Sequence, residues 1–164
     1  MRIRDYRRED SAEICRWVRT KDEMYRWTAE VFDHLPIGAY ELDSHYAPQI
    51  QEGRFFPLSV ENESGELVGH FTVRYPDQAD DSNVRIGYVI LRPDFRGQGL
   101  GKKMIQLALE YARKLSARRA ELLVFANNPD AVHCYEAVGF TPVKTIDYEI
   151  PAGVWKCIEM EYYL

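Results

Sequence analysis

The segment Arg96-Gly97-Gln98-Gly99-Leu100-Gly101 constrains this chain more than any other, because it joins an apolar strand to the most regular amphipathic stretch in the sequence. Residues 84–91 read as the strand. After the glycines, Leu100, Met104, Leu107, Ala108, Tyr111 and Leu115 recur at helical spacing as one buried stripe. A Gly-rich turn that opens a helix leaves the first helical amides without partners, and glycine lets the backbone approach an oxygen atom closely. The helix dipole adds partial positive charge, and Arg96, Lys102 and Lys103 add full ones, so the natural occupant is an anion, phosphate above all. A Walker loop is excluded, because Lys103 stands where its Ser or Thr belongs. The dinucleotide fingerprint G-x-G-x-x-G is the weaker alternative, since Gly97, Gly99 and Gly101 form G-x-G-x-G.

Around this segment the periodicity predicts one α+β domain over residues 1–164. A strand over 2–6 leads to a helix capped by Asp10 or Ser11 and carrying Ile14, Trp17 and Val18. Thr20 and Glu23 form a capping box for a second helix bearing Met24 and Trp27. Residues 41–51 form a short third helix with Leu42, Tyr46 and Ile50 on one side, despite Pro48. Strands over 55–61, 67–75 and 84–91 make an antiparallel meander, its first turn at Asn62-Glu-Ser-Gly65. A strand over 121–125, a helix over 129–138 stopped by Gly139, and strands over 142–150 and 154–163 complete a central mixed, mostly antiparallel sheet flanked by helices.

Composition removes several functions. The formal net charge is −5, with basic residues scattered, which argues against nucleic acid as a partner. No stretch is apolar over the length a membrane helix needs, and residues 1–13 are charged rather than signal-like, so a cytoplasmic protein with no membrane partner is expected. Cys15, Cys134 and Cys157 form no C-x-x-C pair, and His34, His45, His70 and His133 lack metal-binding spacing, so no metal is expected.

A second motif follows the strand that ends at Phe125: Asn128-x-x-Ala131-x-x-x-Tyr135-Glu-x-x-Gly139-Phe140. Together with Arg96-x-x-Gly99-x-Gly101, in this order and spacing, it resembles the paired signatures of the N-acetyltransferase (GNAT) superfamily. The match runs from about Val84 to Phe140, and the flanking strands and N-terminal helices suit the same GNAT-like (acyl-CoA N-acyltransferase) fold. The resemblance implies acetyl-CoA as acyl donor and direct acetyl transfer to a primary amine. It places the pyrophosphate on backbone amides of Arg96, Gly97, Gln98, Gly99, Leu100 and Gly101, with Lys102 beside them. It offers backbone groups of Val89, Ile90 and Leu91 to the pantetheine arm, and assigns Asn128 either a cofactor contact or a helix N-cap.

Amine acetylation needs a neutral nitrogen, a polarised carbonyl and a proton for the departing thiolate. The resemblance gives the last task to Tyr135, whose phenol stays protonated at neutral pH. Many members carry a glutamate base near the position of Arg85, and an arginine cannot replace it. A water relay or His70 is the expected base, and His133 reads as a surface residue. The resemblance implies that the N-terminal helices and last hairpin roof the acceptor pocket, which makes Tyr25, Trp27, Phe32, Tyr40, Tyr46 and Tyr88 its candidate lining, with Glu30, Asp33 and Glu41 able to attract a cationic amine. The acceptor is a small-molecule or peptide amine. An inactive acyl-CoA-binding sensor of the same fold is the alternative, favoured by Arg85. The alternating tail 157–164 is expected to pair at a sheet edge, which suits a homodimer.

Overall fold

The computed structural model describes all 164 residues. The chain runs β1 (Arg2–Asp5), α1 (Asp10–Arg16), α2 (Lys21–Thr28), α3 (Glu41–Gln51), β2 (Phe55–Glu61), β3 (Leu67–Arg74) and β4 (Asn83–Leu91). It continues through α4 (Leu100–Lys114), β5 (Arg119–Phe125), α5 (Pro129–Val138), β6 (Thr141–Ile150) and β7 (Gly153–Tyr163). One sheet takes all the strands in the order β1-β2-β3-β4-β5-β7-β6. Its only parallel pair is β4 with β5, so the sheet is mixed and mostly antiparallel as the sequence implies.

Two apolar cores lie on its two sides. Val84 and Ile86 of β4 and Leu122 and Val124 of β5 pack with Met104, Ile105 and Ala108, the stripe of α4. Ile14, Met24, Leu42 and Tyr46 from α1 to α3 pack with Phe55, Ile90, Phe125 and Cys157 on the other side. Each helix thus buries the face its spacing marks as apolar, which is where most helical stability arises.

Two irregularities shape the centre of the sheet. First, β4 and β5 pair only at Asn83↔Arg119, Val84↔Ala120 and Arg85↔Glu121, and then diverge. Second, Thr72 pairs with Gly87 while His70 pairs with Ile90, so β4 holds one extra residue. Tyr88 takes a φ of 50° at this bulge. The bulge reverses the side-chain alternation. Val84 and Ile86 face α4, whereas Tyr88 and Ile90 face α1–α3 and Val89 and Leu91 turn back toward α4.

Several expectations are corrected. Neither Asp10 nor Ser11 caps α1; the N-cap is Glu9, and both residues turn inward. Asp10 accepts from Arg4 at 2.7 and 2.9 Å, from Ser59 at 2.7 Å and from the Arg7 amide at 2.9 Å. Such a long-range pairing leaves no local signal. Ile50 is exposed, because the last turn of α3 projects beyond the core that holds Leu42 and Tyr46. The C-terminal strand is not an edge: β7 lies between β5 and β6, and β6 forms the edge.

Candidate active site

The glycine segment opens α4 as the spacing demands. Gly97 and Gly99 take φ values of 74° and 75°, and a Cβ placed on either would meet nothing within 4 Å. Gly99 is the N-cap of α4 with no side-chain cap. From Gly97 to Lys102, six consecutive backbone amides have no hydrogen-bond partner in the protein. The run is displaced by one residue from expectation, because the Arg96 amide already donates to the Pro93 carbonyl at 3.3 Å. The Arg96 side chain braces the loop instead: its Nε donates to the Leu91 carbonyl at 3.0 Å, and its Nη1 lies 3.5 Å from Glu23 of α2. Lys102 and Lys103 are exposed beside the amides. Gly101 has a packing role, since a Cβ there would sit 3.3 Å from Cys134 Sγ on α5. Six free donors, a helix N-terminus and two lysines fit a pyrophosphate.

The splay continues this cradle into the sheet. Beyond Arg85, β4 has no strand partner on its β5 side, so backbone groups near Val89 and Ile90 lie along an open edge, while the Leu91 carbonyl there already accepts from Arg96 Nε. Asn128, N-cap of α5, makes no side-chain cap bond, which leaves its amide free to face a ligand. Tyr135 on α5 is buried against Phe140, at 6.1 Å between ring centroids. Burial pushes its phenol well above the usual tyrosine range, so it keeps its proton at any physiological pH.

On the other side of the sheet, the expected acceptor region divides. Tyr88 donates or accepts a hydrogen bond with His45 Nε2 at 2.9 Å and stacks edge-on against Trp27 and Tyr46. His45 in turn lines an open cavity of about 550 Å³ with Phe32, Asp33, His34, Tyr40 and Glu41. The chain separation of 43 residues hid this pair from sequence reading. His45 has a signal only in hindsight: it is polar, yet it lies one residue before buried Tyr46 on an amphipathic helix.

His70 is corrected as a base. It is wholly buried, with Nε2 2.8 Å from the Tyr46 hydroxyl, and the rings of Tyr46 and Tyr6 flank it. Burial pushes its pKa down to about 3, and no substrate nitrogen can reach it. Tyr46 and Tyr25 are buried too, with Tyr25 held against Trp155. The carboxylates expected to draw an amine are already engaged. His34 bridges Asp33 at 2.8 Å and Glu41 at 3.0 Å, and Tyr148 donates to Glu30 at 3.0 Å. Arg85 is likewise committed, its Nε donating to Glu121 at 2.7 Å. No group of three or more His, Cys, Asp or Glu side chains is arranged to hold a metal, and no helix is long and apolar enough to cross a membrane.

Comparison with known proteins gives the same outline. Residues 11–140 match the Acetyltransferase (GNAT) family. The chain is 28% identical over 137 residues to a mycothiol acetyltransferase of Rhodococcus opacus, covering 79% of this chain and 45% of that one. It is 29% identical over 136 residues to the mycothiol acetyltransferase of Corynebacterium glutamicum, covering 81% of this chain and 43% of the relative. It therefore spans less than half the length of these curated relatives. In fold it is similar to the spermidine N-acetyltransferase from Vibrio cholerae in complex with CoA and spermine, with a TM-score of 0.81 over 99% of this chain and 94% of that one at 21% identity.

Proposed function

Because the chain belongs to the Acetyltransferase (GNAT) family, we propose that it is an acetyl-CoA-dependent N-acetyltransferase that moves the acetyl group directly to a primary amine. The observation that carries this reading is the run of six unpartnered amides at the start of α4, beside the open edge of β4. The amides from Gly97 to Lys102, with the Lys102 side chain, would hold the pyrophosphate, and Val89, Ile90, Leu91 and Asn128 the pantetheine arm. When bound, acetyl-CoA supplies the activated acetyl thioester.

Tyr135 holds the proton at its hydroxyl and delivers it to the leaving sulfur. Its burial serves this role twice, by keeping the phenol neutral beforehand and by excluding water that would compete for the proton. The acceptor in this reading is a small-molecule or peptide amine. Mycothiol and spermidine stand in the names of proteins that are longer than this chain or similar in fold alone, and neither is assigned here. β4 carries no carboxylate, and Arg85, which stands in place of one, is engaged by Glu121, which favours a second reading as an inactive acyl-CoA sensor.

Two further elements belong to the proposal. The three cysteines are free thiols, which suits the reducing cytoplasm. A second copy of the chain at the β6 edge makes a homodimer, supported by the exposed apolar side chains of Val143 and Ile146 on that strand.

Calorimetry with acetyl-CoA tests the cofactor, and Tyr135→Phe tests the chemistry. One-to-one binding is expected, with the variant binding equally well but losing about 100-fold in kcat, the scale of a general acid. Equal rates would remove Tyr135 from the mechanism, and binding without turnover on any amine would select the sensor.

A further inference from the structure

Direct transfer leaves one proton without a destination. As the amine nitrogen bonds to carbon it becomes positively charged, and the family's usual carboxylate is replaced by Arg85, itself tied to Glu121. His70 is sealed in the core. Tyr88 is different. The bulge turns its side chain to the face of α1–α3, while Val89 and Leu91 point to the face of α4, where Tyr135 lies. The two phenols thus stand on opposite sides of the splay. His45 continues outward from Tyr88, half-buried, with Nε2 2.9 Å from the phenol oxygen and its ring on the wall of the cavity over α3.

We propose that Tyr88 is a catalytic residue that takes the acceptor's surplus proton, and that His45 is the positioning residue that receives the proton from Tyr88 and releases it into the cavity. This rests on the acetyltransferase reading above. In balance, the amine nitrogen bonds to the acetyl carbon while the carbon–sulfur bond breaks. The hydroxyl proton of Tyr135 goes to the departing sulfur. The extra proton on nitrogen goes to the Tyr88 oxygen as the original Tyr88 hydroxyl proton passes to His45 Nε2. His45 then gives a proton to solvent in the cavity and Tyr135 regains one, which restores the protein.

The surroundings suit a relay that rests neutral. Burial pushes Tyr88 up to about 12, opposed by the charge of Arg74 and helped by that of Glu30, so it passes a proton along without standing as phenolate. Burial lowers the pKa of His45, which keeps the imidazole ready to accept. The groups facing His45 are Tyr88 from β4, Phe32 from the preceding loop, and Tyr46 and Gln49 from its own helix, none of them charged. Asp33, His34 and Glu41 share the cavity, where His34 already binds both carboxylates.

Two measurements test the relay. The first needs no donor: NMR titration of the imidazoles in the free protein and in Tyr88→Phe. A hydroxyl donating to Nε2 stabilises neutral imidazole, so the variant raises the His45 pKa; an unmoved titration overturns the relay. The second follows thiol release with spermidine, L-lysine and 2-phenylethylamine as probe amines between pH 5 and 9. The unsubstituted protein loses kcat as pH falls through a value below the ordinary histidine range. His45→Gln loses that limb and falls about 10- to 100-fold at pH 7.5, with KM for acetyl-CoA kept within about twofold. An active protein whose His45→Gln and Tyr88→Phe profiles match its own discards the relay and keeps the acetyltransferase. No thiol release from the unsubstituted protein with any probe discards both.

Discussion

At Gly99 a single residue sets the shape of the loop that opens α4. Its left-handed φ of 75° would cost an ordinary residue about 1 kcal/mol, and a Cβ added there would meet only open space. Gly99→Asp adds a carboxylate where the proposed function puts the pyrophosphate, and two like charges about 4 Å apart repel by about 4 kcal/mol at an effective surface dielectric. Acetyl-CoA affinity should fall at least about 100-fold in calorimetry while circular dichroism stays unchanged, and Gly99→Ala should lose far less. Unaltered affinity in Gly99→Asp would move the site elsewhere. This residue was legible because glycine spacing is a local signal. The His45–Tyr88 pair was not, because its partners come from separate elements and each alone reads as an ordinary polar or aromatic residue.

Elements were legible where a single period governs them. The bounds of β2, α3 and α5 in the structure are those the spacing implies, and the Thr20–Glu23 capping box forms at the head of α2. The bulge in β4 escaped, since Val89, Ile90 and Leu91 are apolar on both faces and carry no alternation to mark a change of phase. The anchor of α1 escaped for another reason. Asp10 joins α1 to β1 and β2 through Arg4 and Ser59, and nothing local announces those partners. Its burial alone would raise the carboxyl pKa, but the hydrogen bonds from Arg4, Ser59 and the Arg7 amide outweigh it and hold the pKa below the ordinary value. A depressed carboxyl pKa stabilises the fold above the unfolded value near 3.9 and loses that contribution as pH falls through the folded one. Resistance to thermal unfolding should therefore weaken below about pH 4, and Asp10→Ala should cost about 3 kcal/mol at pH 7 by stranding part of the Arg4 charge. A variant as stable as the parent at pH 7 would show that the network contributes nothing.

Across the whole molecule, the sheet has one long edge without cover. Nearly all of β6 is exposed on both faces, including Val143 and Ile146. Long edges with exposed apolar side chains invite another strand, and β6 offers Val143 and Ile146 between the charges of Lys144, Asp147 and Glu149 that blunt such an edge. Light scattering should give twice the monomer mass, and Ile146→Lys should return it to the monomer; a monomeric parent at high concentration would refute the dimer. The split between β4 and β5 has a mechanical counterpart. The half-sheets β1-β2-β3-β4 and β5-β7-β6 meet through only three residue pairs at one end, like two blades on a short hinge. A ligand lodged between the blades bridges two parts that the main chain barely joins, and so acts as a rivet. At a concentration 100 times its Kd such a ligand adds about 2.7 kcal/mol to the folded state. If that ligand is the acyl donor of the proposed function, the protein is sturdiest with the donor bound and loosest when empty, which ties its resistance to unfolding to the supply of acyl donor.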